Sequence, residues 1–171
     1  YLVSPLYEWQ AVNFSRNGGW IPMSIGENPI EPAVIKMPAT LVLELMTTHR
    51  GTHAIQCQVE SPTFSSPSAG NLPAYDAIPS LDASATIDES TQQIYLSLVN
   101  RSVDSSLDIK LDGIAYSNNA IIYRIQGDNP LATNSFEEPD NIVIQTQDIT
   151  LEEFVLPPHS YTMVIIQIPS S

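Results

Sequence analysis

The stretch Gln93-Ile-Tyr-Leu-Ser-Leu-Val-Asn100 decides the fold, because large aliphatic side chains recur at every second position along it. Successive side chains of a β-strand point to opposite faces of the sheet, so this alternation predicts a strand with one buried face. We expect Ile94, Leu96 and Leu98 to point inward. The stretch therefore predicts a half-buried strand of a sheet that packs against a second layer.

Further β-rich segments surround this strand from residue 53 to the C-terminus. Turn sequences such as Asp112-Gly113 and Gly127-Asp-Asn-Pro130 separate them. Short strands at this spacing are typical of an antiparallel β-sandwich or barrel, so the predicted fold class is all-β. Besides Ile94–Asn100, the predicted strands are His53–Glu60, Ser106–Leu111, Ile121–Gln126, Asn141–Thr146 and Tyr161–Ile168.

One helix is predicted before the sandwich, from Pro38 to Arg50. Proline suits the first helical position, and Gly51 can take the left-handed position that ends a helix. An apolar stripe follows helical spacing, formed by Leu41, Val42, Leu45, Met46 and His49. The first 37 residues have weak periodicity and contain both tryptophans, Trp9 and Trp20, so a short element with long loops is predicted there.

Charge excludes two classes of partner. The 171 residues include 19 acidic and 6 basic side chains, a formal net charge of −13. Nucleic-acid binding needs a basic face that neutralises phosphates, and an anionic membrane surface would repel such a chain. A neutral polysaccharide is a compatible partner, and the compartment, cytoplasmic or secreted, stays open.

Glycoside hydrolysis needs two carboxyl groups, an acid and a base or nucleophile, on either side of the bond. The candidates are Glu137, Glu138, Asp140, Glu152 and Glu153. Nothing in their spacing places a pair across a cleft, so we expect them to lie in solvated turns. No Gly-x-Ser-x-Gly nucleophile motif and no glycine-rich phosphate loop occurs in the sequence. The sequence therefore predicts no catalytic residue in this chain.

Metal and modification sites are also weakly supported. His49 and His53 are four residues apart, but Gly51 between them would break the helical face that metal ligation needs. No cofactor and no metal ligand is therefore predicted, and His159 is expected to lie in a turn after two prolines. Cys57 is the only cysteine and is expected to pack as a small apolar group. Two glycosylation sequons begin at Asn13 and Asn100.

Aromatic rings can act as stacking platforms for sugars. The candidates for such a platform are Trp9, Trp20, Tyr75, Tyr116 and Tyr123, with core or interdomain packing as the alternative role. Both tryptophans lie outside the predicted sandwich, which argues against a sugar-binding face on the sandwich itself. No sugar-binding residue is assigned.

Three parts of the sequence resemble the C-terminal portion of α-L-arabinofuranosidases of glycoside hydrolase family 51. The segment from Ile35 to Gly51 resembles the last helix of that family's (β/α)8 barrel. The specific stretches are Thr133-Asn-Ser-Phe-Glu-Glu-Pro-Asp-Asn141 and Leu156-Pro-Pro-His-Ser-Tyr-Thr162. The segments 81–88 and 94–102 add a third match.

The resemblance implies a catalytic barrel followed by a jelly-roll-like β-sandwich. Residues 1–51 would be the barrel's tail, with its last strand, a long loop and the last helix, and residues 52–171 the sandwich. The family releases terminal arabinofuranose with retention from arabinan, arabinoxylan or oligosaccharides, and its two catalytic glutamates lie on earlier barrel strands. The implied partners are the barrel of the same protein and, through it, carbohydrate, and a homo-oligomer can also form.

Two other functions stay open at this point: a carbohydrate-binding module, or a structural β domain of another hydrolase. The barrel interpretation carries a further expectation about residues 1–50. It predicts that the apolar surface around Trp9, Trp20 and the helix is left uncovered by the chain's own sandwich.

Overall fold

The computed structural model of the chain describes residues 23–25, 34–113, 116–135 and 137–169. Within these residues it is an antiparallel β-sandwich preceded by one helix, which confirms the predicted all-β class. The predictions for Trp9, Trp20 and Asn13 lie outside the described residues.

Twelve strands and one α-helix make up the described fold. A six-stranded sheet has the order β10-β9-β12-β7-β6-β3, and every neighbour in it is antiparallel. The elements are β1 (Met23–Ile25), β2 (Val34–Lys36), α1 (Pro38–Thr48), β3 (His53–Ile55), β4 (Thr63–Ser66), β5 (Tyr75–Pro79), β6 (Leu81–Asp88), β7 (Gln93–Asn100), β8 (Leu107–Ile109), β9 (Asn119–Ile125), β10 (Gln145–Thr150), a 3₁₀ turn (Leu151–Glu153), β11 (Phe154–Leu156) and β12 (Ser160–Gln167).

The main core lies between the large sheet and the short β8–β11 pair. Ile94, Leu96 and Leu98 of β7 are all buried in it, as the alternation predicted. They face Phe154 and Leu156 of the second layer, and Leu156 has no exposed surface. Burying each large aliphatic side chain of this core stabilises the fold by about 1.5–3 kcal/mol.

Within the described residues, no helix is long and apolar enough to cross a membrane.

One predicted strand is displaced. The segment Asn141–Thr146 was expected to pair, but the strand begins at Gln145 and continues to Thr150. The amide of Ile142 donates to Oδ1 of Asn134 at 2.6 Å, so a side chain occupies the hydrogen bond that a neighbouring strand would make. The polar residues that follow pair with β9 at the edge of the sheet instead.

Several strands have weaker sequence signals and were missed. Strand β6 faces the core with alternate side chains, but the two in its middle, Ala83 and Ala85, are small, so the hydrophobic alternation is weak. Strands β4 and β5 pair only with each other and form a projecting hairpin with mostly exposed side chains. Strand β11 has three residues, too few for a periodic pattern to be recognised.

Candidate functional site

Helix α1 lies on the outer face of the large sheet, opposite the main core. Leu41 and Leu45 are buried against Ile125, Tyr161 and Met163 of β9 and β12. Val42 and Met46 are half-buried at the edge of the same cluster. The expectation that the sandwich leaves this stripe uncovered is therefore wrong for the helix. An amphipathic pattern shows that a face is buried, but it does not show which surface covers it.

The end of α1 is held by aromatic stacking. The ring of His49 stacks on Tyr123 at 4.4 Å between centroids and on Tyr95 at 6.5 Å. Burial lowers the pKa of His49 below its ordinary value of 6.5, because the charged ring would lose hydration. Tyr123 is half-buried in this stack, so its role is packing of the helix rather than an open sugar platform.

This stack predicts a stability that depends on pH. Because the pKa of His49 is lower in the folded chain, its contribution is present above about pH 6.5, the pKa of an unperturbed histidine, and is lost as the pH falls through the folded value. We expect the melting temperature to fall more between pH 7 and pH 5 in the native chain than in a His49→Phe variant. Thermal melts of both chains at the two pH values measure this difference, and equal shifts would contradict it.

The joint between α1 and β3 is tied directly to strand β6. The amide of Gly51 donates to Oγ1 of Thr86 at 2.8 Å, and the amide of Thr52 donates to the carbonyl of Ile87 at 2.9 Å. A Cβ atom on Gly51 would lie 2.2 Å from the backbone of Ile87, so no side chain fits there. The expected left-handed conformation of Gly51 is wrong: the helix ends at Thr48, and close approach to β6 explains the glycine.

A buried asparagine connects the 134–142 loop to the segment that precedes α1. Nδ2 of Asn134 donates to the carbonyls of Lys36 at 2.7 Å and Ile142 at 2.9 Å, while its Oδ1 accepts from the amide of Ile142. Nδ2 of Asn141 donates to the carbonyl of Thr133 at 3.0 Å. Asn side chains that bond nearby backbone groups thus hold both ends of the loop. Asn134 also links this loop to β2.

A second buried asparagine, Asn100, closes the C-terminal end of β7. Nδ2 of Asn100 lies 2.9 Å from the carbonyl of Ser105, 3.2 Å from that of Leu156 and 2.8 Å from that of Pro157. Its Oδ1 accepts from the amide of Ser102 at 2.9 Å. Asn100 is 1% exposed, so the Asn100 sequon presents no accessible amide for glycosylation in the folded chain.

The histidines do not converge. His53 lies beside Oγ1 of Thr52 at 2.9 Å, whereas both ring nitrogens of His159 lie within 3.0 Å of backbone carbonyls, those of Val103 and Gly127. Among the described residues, no group of three or more His, Cys, Asp or Glu side chains could hold a metal ion. Each histidine has a local packing or hydrogen-bonding role.

The candidate carboxylates lie on the surface. Glu137, Glu138, Asp140 and Glu152 are exposed, and in the described part of the chain none of these side chains forms an ion pair. The side chain of Glu153 lies outside the described residues. Exposed carboxylates of this kind are solvated, and the described residues bring no two of the candidates together across a cleft.

The remaining candidates divide between surface and core. Tyr75 is 54% exposed on the β4–β5 hairpin, whereas Tyr116 is half-buried and donates from its hydroxyl to the carbonyl of Leu111 at 3.2 Å. Cys57 packs against the main core, and burial raises the pKa of its thiol. That placement agrees with the expected role of Cys57 as a small packed group.

Comparison with known proteins places this arrangement in a family. A family model described as the α-L-arabinofuranosidase C-terminal domain matches residues 23–160. The chain belongs to this family. The arabinofuranosidase C-terminal domain is non-catalytic, and it is the all-β domain that the three sequence stretches predicted. No curated protein matches the chain in sequence.

Solved structures of whole enzymes contain the same domain. The family 51 α-L-arabinofuranosidase of Thermotoga petrophila is similar with 25% identity and a TM-score of 0.68, over 79% of this chain and 30% of that one. The enzyme of Thermotoga maritima is 26% identical with a TM-score of 0.67, over 80% of this chain and 30% of that one. A family 51 enzyme of Bifidobacterium longum shares the fold at 24% identity and a TM-score of 0.68, over 86% of this chain and 28% of that one. The chain thus spans about a third of the length of these enzymes.

Proposed function

We propose that this chain is the C-terminal portion of a retaining α-L-arabinofuranosidase that acts on arabinose-containing polysaccharides or oligosaccharides. In this proposal residues 1–51 complete the catalytic barrel and residues 52–171 support it. Carbohydrate contacts the enzyme through the barrel, and the catalytic pair of carboxylates belongs to the barrel as well. The similarity to family 51 enzymes of about three times this length supports the proposal.

The observation that carries the proposal is the joint from α1 to β3. Flexibly attached binding modules are separated from their enzymes by linkers that behave as coils or spacers. Here the chain passes from Thr48 to His53 with the amides of Gly51 and Thr52 bonded to β6. A helix that belongs to the barrel and packs on the sandwich would therefore fix the orientation of the two domains.

An insertion at this joint tests the proposal in the whole enzyme. We expect Gly-Gly-Ser, inserted between Arg50 and Gly51, to lower kcat/KM on an aryl arabinofuranoside by about tenfold or more, because a barrel without rigid support from the sandwich holds its catalytic pair less precisely, and small misplacements of reacting groups are costly. The same insertion between Gly70 and Asn71, in the exposed hairpin turn, is the matched control and should leave kcat/KM within about twofold. Equal activity of the two insertion variants would count against rigid support as the function.

A further inference from the structure

Helix α1 covers only part of the outer face of the sheet. Side chains two residues apart on a strand share a face and stand about 7 Å apart. Ile121 therefore lies on the same face as Tyr123, one step beyond the end of the helix contact, and Ile165 is its cross-strand partner on β12. Ile121 is 40% exposed, although it lies in the middle of a strand.

Ile121 and Ile165 line an open depression of about 530 Å³ beside the region that α1 covers. Polar side chains surround them, including Gln93, Gln167 and Asp148. Part of their hydrogen-bonding capacity is already used, because Nε2 of Gln167 donates to backbone carbonyls and Oε1 of Gln93 accepts from Tyr95. In the described part of the chain, the carboxylate of Asp148 makes no hydrogen bond or ion pair. An apolar centre within a polar rim is the usual composition of a protein interface.

We propose that this depression is a seat for the catalytic domain of the same protein, and this inference rests on the proposed function. Two observations select this occupant. The depression continues the surface on which α1 already packs, so a domain that includes α1 approaches from that side. About 70% of each similar enzyme lies outside the matched region, which provides the partner. Asp148 is the only charged group lining the depression among the described residues.

The chemistry of the matching surface follows from these residues. A large apolar side chain of the catalytic domain inserts over Ile121 and Ile165, as central anchors of interfaces do. Hydrogen-bond donors, or a basic side chain opposite Asp148, surround that anchor. An acidic side chain opposite Asp148 would be repelled by its carboxylate.

Two lysine substitutions test the seat, and both are made in the whole enzyme and in the isolated chain. Ile121 is 40% exposed and pairs across the sheet with Asp148, while Val155 is 43% exposed and pairs with Asp108 on the other layer. Ile121→Lys and Val155→Lys therefore place the same new charge at equal exposure beside an aspartate. Of these two positions, Ile121 lines the depression and Val155 does not.

We expect Ile121→Lys to lower the melting temperature of the whole enzyme by about 5 °C or more, and Val155→Lys by about 1 °C or less. Both variants of the isolated chain should melt within about 2 °C of the native chain. Equal shifts for the two whole-enzyme variants would overturn the seat, and so would a shift from Ile121→Lys of the same size in the isolated chain. If the seat fails while insertion at residue 50 still lowers activity, the proposed function stands and the docking surface lies elsewhere on the sandwich.

Discussion

Replacing Gly51 with alanine is expected to destabilise the sandwich by about 3–5 kcal/mol, the range of severe overpacking combined with lost hydrogen bonds. The new Cβ atom would stand 2.2 Å from the carbonyl carbon and oxygen of Ile87 and 2.7 Å from the amide nitrogen of Asp88. These are backbone atoms, so no side-chain rotation relieves the contact. The joint must move away from β6, which breaks the bonds of Gly51 to Thr86 and of Thr52 to Ile87.

Gly70→Ala is the matched control for this variant. Gly70 has a φ of +58° and nothing within 4 Å of an added Cβ atom, so alanine there costs only the strain of a left-handed conformation, about 1–2 kcal/mol. Chemical denaturation of both variants of the isolated chain gives the two free energies of unfolding. If Gly51→Ala costs no more than Gly70→Ala, the joint is looser than its geometry indicates.

Asn100→Ala is expected to cost about 3–5 kcal/mol, because it leaves several backbone groups in the interior without a partner. In the native chain, Nδ2 of Asn100 donates to the carbonyls of Ser105, Leu156 and Pro157, and its Oδ1 accepts from the amide of Ser102. Asn100→Asp keeps the shape but turns an acceptor toward three carbonyls, so we expect an effect at least as large at neutral pH. This second variant separates the hydrogen-bonding role of Asn100 from its volume.

Asn71→Ala provides the reference for a surface asparagine, since Asn71 is exposed in the hairpin turn. It should stay within about 0.5 kcal/mol of the native chain. Denaturation curves of the three variants test this prediction together. A loss below about 1 kcal/mol for both Asn100 variants would show that water replaces the carboxamide, and the closed end of β7 would then be open to solvent.

Local patterns predicted the parts of the fold that depend on neighbouring residues. The alternation around Leu96 identified β7 and its buried face, and helical spacing identified α1 from Pro38 onward. Neither pattern shows which surface packs against the buried face. For that reason the stripe of α1 was expected to face a missing barrel, whereas Leu45 packs against the chain's own sheet.

The roles of single polar and small residues depended on contacts distant in sequence. Thr86, which accepts from Gly51, is 35 residues along the chain, and Lys36, which accepts from Asn134, is 98 residues away. The resemblance marked the Asn134 stretch as specific, but only the structure shows that Asn134 connects the loop to β2. No sequence signal identified the depression at Ile121, because its exposure results from how far α1 extends across the sheet.

Hydrolysis of an aryl arabinofuranoside by the isolated chain of residues 1–171 tests the central claim most directly. The account predicts no turnover above background, because the described candidate carboxylates are exposed and isolated, and the whole enzyme under the same conditions is the positive control. Turnover by the isolated chain that disappears on replacing Glu137, Glu138, Glu152 or Glu153 with glutamine would contradict the account, since it would place the catalytic centre in this domain.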